Sequence, residues 1–299
     1  MAISSGNFAE LLWPGIKQIW GTAYSKYSPL YTQIFDIQQS DKAFEKHQGV
    51  TGLGLLGVKN QGEPIGYDDV MQGFQKEYVN VTYARGVIVT REMVEDEQYN
   101  YINQLPAILA RSARDTEETV TFNILNRAFN ASFTGADGSA LCVTNHALVG
   151  GGTFSNTLAT AADLTQTSLE TAIQNLMDIV DDRGLKIQVR PKQLVVPTAI
   201  ALTAMKLLQT TQVVGSADND KNPIPMFLPS QPLVSPYLTD PDAWFIITDV
   251  PNGLTFFRRR AAAVERDNDF DTQNLKFAVS ERFSTGFTDP RGVFASPGA

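Results

Sequence analysis

The sequence contains little of what builds a catalytic or metal site. Among its 299 residues there are one cysteine, Cys142, and two histidines. A single cysteine excludes an internal disulfide framework and a zinc site made of several cysteines, and it suits a reducing cytoplasm. Stability must therefore come from a hydrophobic core. The 43% hydrophobic and 10% aromatic residues are sufficient for one, and the length favours two domains.

The chain also lacks an excess of basic residues and a long apolar run. Its 24 Lys and Arg against 32 Asp and Glu give a net charge of −8. Because Lys and Arg supply most of the affinity for phosphates, this balance argues against a nucleic-acid binder, although a surface that only faces nucleic acid is still allowed. No stretch approaches the roughly 18 apolar residues of a membrane span. The N-terminus also lacks the basic and apolar regions of a signal peptide.

The clearest pattern in the sequence is that of a long helix from Thr90 to Asn130. Its apolar residues mostly recur every three or four positions, namely Ile102, Leu105, Leu109, Ala113, Val120 and Ile124. Thr90 is a suitable N-cap, and acidic residues crowd the first turns. Pro106 predicts a kink or break near Leu105. Forty residues would span about 60 Å, more than the roughly 40 Å diameter of such a domain, so we expect a strut.

The segments before this helix predict projecting structure. Residues 1–49 carry scattered aromatic residues without a sustained period, which indicates an extended arm with short helical pieces. Residues 78–90 alternate, which predicts a strand with one apolar side made of Val79, Val81, Tyr83, Val87 and Val89. Turn residues between 60 and 66 complete a two-stranded excursion. Because neither the arm nor a two-stranded ribbon is stable by itself, both should contact the rest of the subunit or a neighbour.

The second half of the chain predicts a compact mixed domain. Residues 131–163 are a Gly, Ser and Thr-rich loop, and residues 164–187 form a helix with Thr167 and Glu170 as a capping box and Gly184 at the stop. The apolar face of this helix is Leu169, Ile173, Leu176, Met177 and Val180. The other predicted elements are a buried strand at 191–197, a helix starting at or just after Pro197, mostly loop at 213–243, a hairpin of 244–250 with 254–260, and a strand at 275–287.

Three groups of residues could carry chemistry, and each has a simpler interpretation. Cys142 and His146 could pair as thiol and base, but a packed thiol beside a hydrogen-bonded loop histidine is favoured because no acidic residue is obviously placed to orient the ring. A metal could bind the cluster Asp267, Asn268, Asp269 and Asp271, which lacks the glycine and distal glutamate of a calcium loop and is interpreted as a solvated turn.

The third group is the glycines of residues 49–57, which imitate a dinucleotide-binding loop only superficially, since no helix is expected to follow them. We predict no catalytic residue, no cofactor-binding or metal-binding residue, no cofactor and no enzymatic activity.

The strongest cationic run is Arg258, Arg259 and Arg260. On a strand, Arg258 and Arg260 should point one way and Arg259 the other. Local salt bridges on a solvated strand are the favoured interpretation, and ion pairing across a subunit boundary is the alternative.

The order of several sequence blocks resembles one known family. The blocks are VTREMVEDE, DGSALCVTNHALVGGGTFSN, LTQTSLETAIQNLMDIVDDRGLKI, RPKQLVVPTAIALTAMKLL, DPDAWFIITDV and ERFSTGFTDPRGVFASPG. In this order they resemble the major capsid proteins of tailed bacteriophages, with the Hong Kong 97 type fold, and among them the Mu-like head subunits.

The resemblance implies an α+β fold with four parts. These are an N-terminal arm at 1–49, an E-loop at 50–89, a peripheral domain at 90–197 and 264–299 with a spine helix at 91–130, and an axial domain at 198–263.

The resemblance also implies a structural function. The chain is expected to self-assemble into hexamers and pentamers of an icosahedral shell around packaged double-stranded DNA, which it encloses without sequence-specific binding. Assembly would take place in the host bacterial cytoplasm, and the product would be the virion. Implied partners are a separate scaffold protein and a portal, with a decoration protein as an optional partner.

Three questions stay open after the resemblance. An encapsulin-like compartment shell is the alternative function, and an enzyme using Cys142 with His146 is a third class. Some members of the family make isopeptide cross-links, and Lys59, near the tip of the excursion, is a candidate for one. An ordinary exposed lysine is the favoured interpretation.

Overall fold

The computed structural model describes residues 9–96, 101–212, 220–269 and 271–299. The helices within these ranges are α1 (Ala9–Lys26), α2 (Arg91–Glu95), α3 (Tyr101–Asn126), α4 (Gln166–Met177), α5 (Ala201–Gln209) and α6 (Ile224–Phe227). The strands are β1 (Asp36–Gln39), β2 (Phe44–Val50), β3 (Gln72–Val79), β4 (Val81–Val89), β5 (His146–Ala147), β6 (Thr153–Phe154), β7 (Pro191–Pro197), β8 (Leu233–Ser235), β9 (Trp244–Thr248), β10 (Leu254–Asn268), β11 (Leu275–Phe287) and β12 (Val293–Ser296). None of the helices in these ranges has the length and apolar character to cross a membrane.

Two four-stranded sheets form the centre of the molecule. The long sheet has the strand order β1-β10-β11-β4, and the small sheet has the order β12-β9-β7-β8. Strands β10 and β11 are antiparallel along almost their whole length, from Leu254 opposite Phe287 to Asn268 opposite Leu275. The bounds of β7 and β11 match the strands predicted at 191–197 and 275–287, because both carry uninterrupted strand-forming patterns. Strands β2 and β3 form a separate two-stranded ribbon.

The small sheet is buried on both faces. One face packs under α4, α5 and α6, through the buried side chains Leu194, Val196, Trp244, Ile246 and Phe294. The opposite face, which includes Val195, Phe245 and Ile247, joins a core shared with α3 and the long sheet. Every residue of β9 is consequently buried, which explains its continuous apolar sequence WFIIT.

The prediction of an arm with short helical pieces is wrong for residues 9–26, which form the 18-residue helix α1. Ile16 and Trp20 are buried four residues apart on its inner face, and they pack with Leu105 and Leu109 of α3. In the sequence, a helical face with so few large apolar residues looks the same as aromatic residues scattered without a period. The expectation that aromatics of this region lie against the subunit is confirmed for Trp20 and for the buried Tyr31 and Phe35.

The predicted long helix consists of α2 and α3 within the described residues, and residues 97–100 between them lie outside the description. The Thr90 side chain accepts a hydrogen bond from the Met93 N–H, which confirms the predicted cap. Helix α3 continues unbroken through Leu105 and Pro106, so the predicted break is wrong. Pro106 has no backbone N–H to donate, so one hydrogen bond of the helix is missing there. A bend there stays a prediction.

The strand predicted at 78–90 is interrupted at Asn80. Its first part, β3, pairs with β2 in the ribbon, and its second part, β4, pairs with β11 in the long sheet. Asn80 is buried, and its Nδ2 donates to the Ser40 hydroxyl at 2.9 Å and to the Lys42 carbonyl at 3.0 Å. The interruption changes which side chains face inward. Val79 and Val81 are therefore exposed, contrary to the single apolar side that the alternation predicted.

Helix α4 (Gln166–Met177) has a different N-cap from the predicted one and ends earlier than predicted. Its N-cap is Thr165, which accepts the Ser168 N–H at 3.2 Å and forms a capping box with Ser168, so the predicted box of Thr167 and Glu170 is wrong. The helix ends at Met177, and Gly184, with φ of 79°, lies in a separate tight turn rather than at the stop. Ile179, which follows the helix, is also buried in the core. The apolar spacing therefore continues past Met177, which is why the predicted helix is too long.

The predicted hairpin around Pro251, Asn252 and Gly253 is wrong. Strand β9 pairs with β7 and β12, whereas β10 pairs with β1 and β11, so the turn carries the chain from the small sheet to the long one. Asn252 has φ of 57° in this turn. A Cβ atom on Gly253 would lie 2.7 Å from the Gly292 Cα, so the crossing requires glycine.

Two smaller differences concern boundaries. Helix α5 begins at Ala201, four positions after the predicted start at Pro197, because residues 198–200 form a turn. The predicted limit between axial and peripheral domains, at residue 263, lies inside the continuous strand β10. The four-part division of the chain stays a prediction.

Replacing Thr165 by alanine tests the corrected start of α4. Thr165→Ala removes the side-chain acceptor for the Ser168 N–H, and we expect the free energy of unfolding to fall by about 1 kcal/mol. Thr167→Ala is the matched control, since Thr167 is also exposed but lies within the helix. Urea unfolding of both variants measures the difference, and an equal loss in both would contradict the assignment of the cap.

Candidate interaction surface

Residues 51–71, which we call the apolar excursion, join β2 to β3 and project from the ribbon. Eight of its apolar side chains are exposed, namely Leu53, Leu55, Leu56, Val58, Ile65, Tyr67, Val70 and Met71, and Leu56 is 100% exposed. A concentration of exposed apolar side chains on one segment indicates an interaction site. A projecting ribbon was predicted at 50–89, but its paired strands are 44–50 and 72–79, because residues 81–89 belong to the long sheet.

The apolar excursion is tied to the body by one arginine, Arg183, in the turn after α4. Its Nη1 donates to Asp68 Oδ2 at 2.6 Å, and its Nη2 donates to the Asp69 carbonyl. Asp68 Oδ2 also accepts the Gly54 N–H at 2.8 Å, so it joins the two arms of the excursion. The hydrogen bond from Gly54, followed by the one from Arg183, lowers the pKa of Asp68. We call this set the Arg183 latch.

The ribbon that carries the excursion packs on the long sheet through Tyr78. The Tyr78 ring lies 4.9 Å from the Phe257 ring, and its hydroxyl lies 2.5 Å from Thr288 Oγ1. Burial raises the pKa of Tyr78 to about 12, so it is a neutral phenol at physiological pH. A Cβ atom on Gly286 would lie 2.6 Å from the Tyr78 ring, which means that the ring fits only over glycine. The base of the ribbon is therefore rigid.

A second exposed apolar surface lies on α4 and α6. Met177, Met226 and Phe227 are exposed there, Met226 to 84%. Grooves of about 590 Å³ and 240 Å³ lie beside them and share Met177 and Phe227 in their walls. The chain thus has an apolar projection between β2 and β3 and an apolar groove beside α4 and α6.

A buried charge cluster lies where α1, α3, β10 and β11 meet, and we call it the Glu117 cluster. Glu117 accepts hydrogen bonds from four groups, Arg114 Nη1 at 2.6 Å, Tyr24 OH at 3.0 Å, Tyr31 OH at 3.3 Å and Arg258 Nη2 at 3.4 Å. Its side chain is 2% exposed. Two of the four donors are cationic guanidinium groups, so their hydrogen bonds to Glu117 are charge-assisted.

Glu281 of β11 is the other carboxyl group of the Glu117 cluster. It is 3% exposed, and its Oε2 receives no hydrogen bond from the described residues. Burial, followed by the charge of Glu117, raises the pKa of Glu281 to about 8, while Arg258 and Arg114 act in the opposite direction. A groove of about 270 Å³ between α3 and β4 ends at Glu281.

The arginine run has separate roles in the structure. Arg258 reaches the Glu117 cluster, where its Nη2 donates to Tyr31 OH at 2.6 Å. Arg259 pairs with Asp41 at 3.5 Å, and the exposed Arg260 donates to Ser280 Oγ at 2.8 Å. The strand register shifts between Arg258 and Arg260, so the predicted common direction of these two side chains is wrong. Local ion pairing, the favoured interpretation, is confirmed for Arg258 and Arg259.

Cys142 and His146 lie in a tightly bonded loop. Cys142 is buried, and burial raises the pKa of its thiol, which disfavours the reactive thiolate. His146 is fully buried, with Nδ1 2.6 Å from Asp137 Oδ2. Burial of Asp137 acts to raise its pKa, but the hydrogen bond from His146 acts in the opposite direction, and the pKa of Asp137 is lowered. Sequence analysis missed Asp137 because it lies nine positions upstream, across a loop whose folding cannot be deduced locally.

Asn156 holds the same loop to the C-terminal strand. Its Nδ2 donates to the carbonyls of Leu141 at 2.7 Å, Pro290 at 2.9 Å and Val293 at 3.1 Å. Its Oδ1 lies 3.1 Å from His146 Nε2. Both ring nitrogens of His146 thus have partners within the loop, and the arrangement is that of a structural histidine.

The remaining candidate residues lie apart from these clusters. Asp269 pairs with Lys276 at 2.6 Å in the turn between β10 and β11, and no metal-binding group of His, Cys, Asp or Glu occurs in the described residues. The glycines of residues 49–57 lie at the end of β2 and in the apolar excursion, and Lys59 is exposed near its tip.

Comparisons with known proteins give one family and one fold. A family model described as phage capsid protein matches residues 75–296, and no curated protein matches. The capsid of the cyanophage P-SCSP1u aligns with a TM-score of 0.59 and 10% identity, over 90% of this chain and 87% of that one. The procapsid of bacteriophage JBD30 aligns with 0.55 and 14%, over 97% and 75%. A virus-like particle from Pyrococcus furiosus aligns with 0.55 and 11%, over 94% and 97%. The predicted α+β fold of the Hong Kong 97 type is confirmed.

Removing Asp68 tests the Arg183 latch. Asp68→Ala removes the acceptor shared by Gly54 and Arg183, so we expect the excursion to open and trypsin to cleave after Lys59 several times faster than in the wild type. Lys59 is the single tryptic site of residues 51–71. Asp69→Ala is the control, since Arg183 contacts the carbonyl of Asp69, and it should be cleaved at the wild-type rate. Equal rates in both variants would contradict the latch.

The reactivity of Cys142 tests whether the thiol is structural. Because the thiolate is the reactive form and the thiol is buried, we expect the native chain to react with a thiol reagent at least about a hundredfold more slowly than the urea-unfolded chain. Cys142→Ala gives the blank. A native thiol that reacts at the unfolded rate would show an accessible nucleophile instead.

Proposed function

Because the chain belongs to the phage capsid protein family and has the Hong Kong 97 type fold, we propose that it is the major capsid subunit of a tailed bacteriophage. In this proposal, copies of the chain assemble into hexamers and pentamers of an icosahedral shell around packaged double-stranded DNA. The closer likeness to Mu-like head subunits stays a prediction.

The observation that carries the self-assembly is the apolar excursion. Eight exposed apolar side chains on one projecting segment are a poor surface for an isolated protein, and a neighbouring copy removes them from water. Contact of the excursion with a different surface of the next copy is head-to-tail, and such contacts form rings when the rotation between copies closes. Many modest contacts repeated around a shell then give a stable particle.

The other expected properties follow from this role. A net charge of −8 leaves packaged DNA free to move along the shell rather than bound to it. We propose that scaffold and portal proteins are separate chains, that a decoration protein is an optional partner, and that assembly takes place in the bacterial cytoplasm. We also propose that the chain has no catalytic role, which agrees with the buried state of Cys142.

Electron microscopy of the purified chain, with and without a co-expressed scaffold, tests the proposal. We expect closed particles with fivefold and sixfold rings, and nuclease-protected DNA inside particles isolated from virions. Closed particles that hold another cargo and no protected DNA would instead support a compartment of the encapsulin type. A chain that stays monomeric under every condition would contradict the proposal.

A charged residue in the apolar excursion should block assembly without affecting the subunit. Leu56→Glu places a carboxylate where we expect a dry contact, whereas Leu56 makes no core contribution in the single chain, being fully exposed. Gln61→Glu introduces the same side chain at another exposed position of the excursion and serves as the control. We expect light scattering to show loss of particles for Leu56→Glu and wild-type particle formation for Gln61→Glu. The unassembled subunits of both variants should unfold at the wild-type temperature.

Equal particle yields from the two variants would contradict a role for the apolar side chains in assembly. A loss in both variants would show that the excursion rejects any added charge, and would contradict the specific role of Leu56.

A further inference from the structure

The carboxyl groups of Glu117 and Glu281 meet inside the contact between α3 and β11. Both side chains are almost completely buried, and burial, followed by the charge of Glu117 and a side-chain hydrogen bond with Glu117, raises the pKa of Glu281. Two ionised carboxylates have no hydrogen to share, so a hydrogen bond between them requires a proton on one of the two. The geometry therefore implies one trapped proton.

The surrounding donors decide which residue holds the proton. Glu117 receives donors from two guanidinium groups and two phenols. Oε2 of Glu281 receives no donor from the described part of the chain. The negative charge is thus stabilised on Glu117, and the proton belongs to Glu281.

Titratable and charged groups face Glu281 from every neighbouring element. Those that act on it directly are Arg114 and Glu117 of α3, Arg258 of β10 and Tyr83 of β4, and Arg85 of β4 lines the same groove. The next groups, Glu118 of α3, Tyr24 of α1 and Tyr31 of the turn before β1, lie beside Glu117 instead. Arg114 and Arg258 are already engaged with Glu117, while Arg85 is exposed on β4. A second carboxylate at Glu281 would therefore lack a direct cationic partner in the described residues.

We propose that Glu281 and Glu117 share one proton at neutral pH, and that release of this proton in alkaline solution loosens the attachment of α1 and the Tyr31 turn to the spine helix α3. This pH-sensitive contact lies within one subunit and does not depend on the proposed capsid function.

The structure provides both a route for the proton and a consequence of its loss. The groove of about 270 Å³ between α3 and β4 is lined in part by Glu281, so solvent lies next to this buried residue. After release, two like charges face each other across the α3–β11 contact in a poorly solvated site. Glu117 also anchors Tyr24 and Tyr31, so displacement of Glu117 weakens both of these attachments.

The direction of the pH effect follows from linkage. The folded chain keeps the Glu281 proton up to about pH 8, whereas the ordinary pKa is 4.5. Between these values the folded chain binds a proton that the unfolded chain has lost, so the folding equilibrium constant falls as pH rises, by up to about tenfold per pH unit. Glu118, whose pKa burial also raises, acts in the same direction.

Infrared spectroscopy can observe the proton directly. We expect the wild type at pH 7 to show a protonated carboxyl band that disappears near pH 8, and Glu281→Gln to lack that band. Glu265→Gln, which makes the same change at an exposed position on β10, should keep it. A wild type without a buried protonated carboxyl group at pH 7, or a band unchanged by Glu281→Gln, would overturn the proposal.

Unfolding measurements across pH give the second readout. Glu281→Gln supplies a permanent amide donor to Glu117, so its folding equilibrium constant should depend less on pH between about 5.5 and 7.5 than that of the wild type, and should exceed the wild-type value at pH 9. Glu265→Gln should follow the wild type. A wild-type slope retained in Glu281→Gln would overturn the proposal. If that variant does not fold, the infrared titration of the wild type decides in either direction.

Hydrogen exchange locates the consequence. Above pH 8, after correction for the intrinsic rate, we expect the amides of α1 and of residues 29–35 to lose protection in the wild type and in Glu265→Gln, and to keep it in Glu281→Gln. Uniform loss of protection over the whole chain in all three proteins would contradict the local attachment.

Discussion

Packing of helix α3 against the long sheet is the interaction on which the rest of this structure depends. The N-terminal half of α3 buries Leu105, Leu109 and Ala113 together with α1 and the outer part of the sheet. Its C-terminal half buries Phe122 and Leu125 in the core between the two sheets. Each such large apolar side chain contributes roughly 1.5–3 kcal/mol when fully buried. The helix thus joins two separate cores, and the Glu117 cluster lies between them.

This arrangement gives the subunit a rigid body and a projecting part. The body holds the base of the ribbon through Tyr78 and holds the excursion through Arg183, so the apolar excursion has a defined direction before it meets a partner. The two-stranded ribbon has too little core to be stable by itself. A subunit that presents an apolar surface it cannot bury is suited to assembly, and the family to which the chain belongs consists of phage capsid proteins.

The parts of the fold that the sequence predicts are those with strong local patterns. The apolar stripe of α3, the Thr90 cap and strands β7 and β11 are of this kind, because periodicity and capping are properties of neighbouring residues. Helix α1, the interruption at Asn80 and the change of sheet at Asn252 depend on contacts with distant segments, so local patterns misassigned them.

The same distinction holds for the candidate sites. The excursion was predictable as a projection from its turn residues and apolar strand, and the structural role of His146 was predictable from the loop around it. The Arg183 latch and the contact of Glu117 with Glu281 join residues more than a hundred positions apart. Charge and residue type in the sequence carry no information about which of these groups meet.

A cryo-electron microscopy map of the assembled particle, at a resolution that shows side chains, tests the central claim most directly. The account predicts that Leu55, Leu56 and Val58 of one subunit are buried against an adjacent copy, while Arg183 still holds Asp68 within the same subunit. A particle in which residues 51–71 remain in solvent, away from any neighbouring subunit, would contradict it.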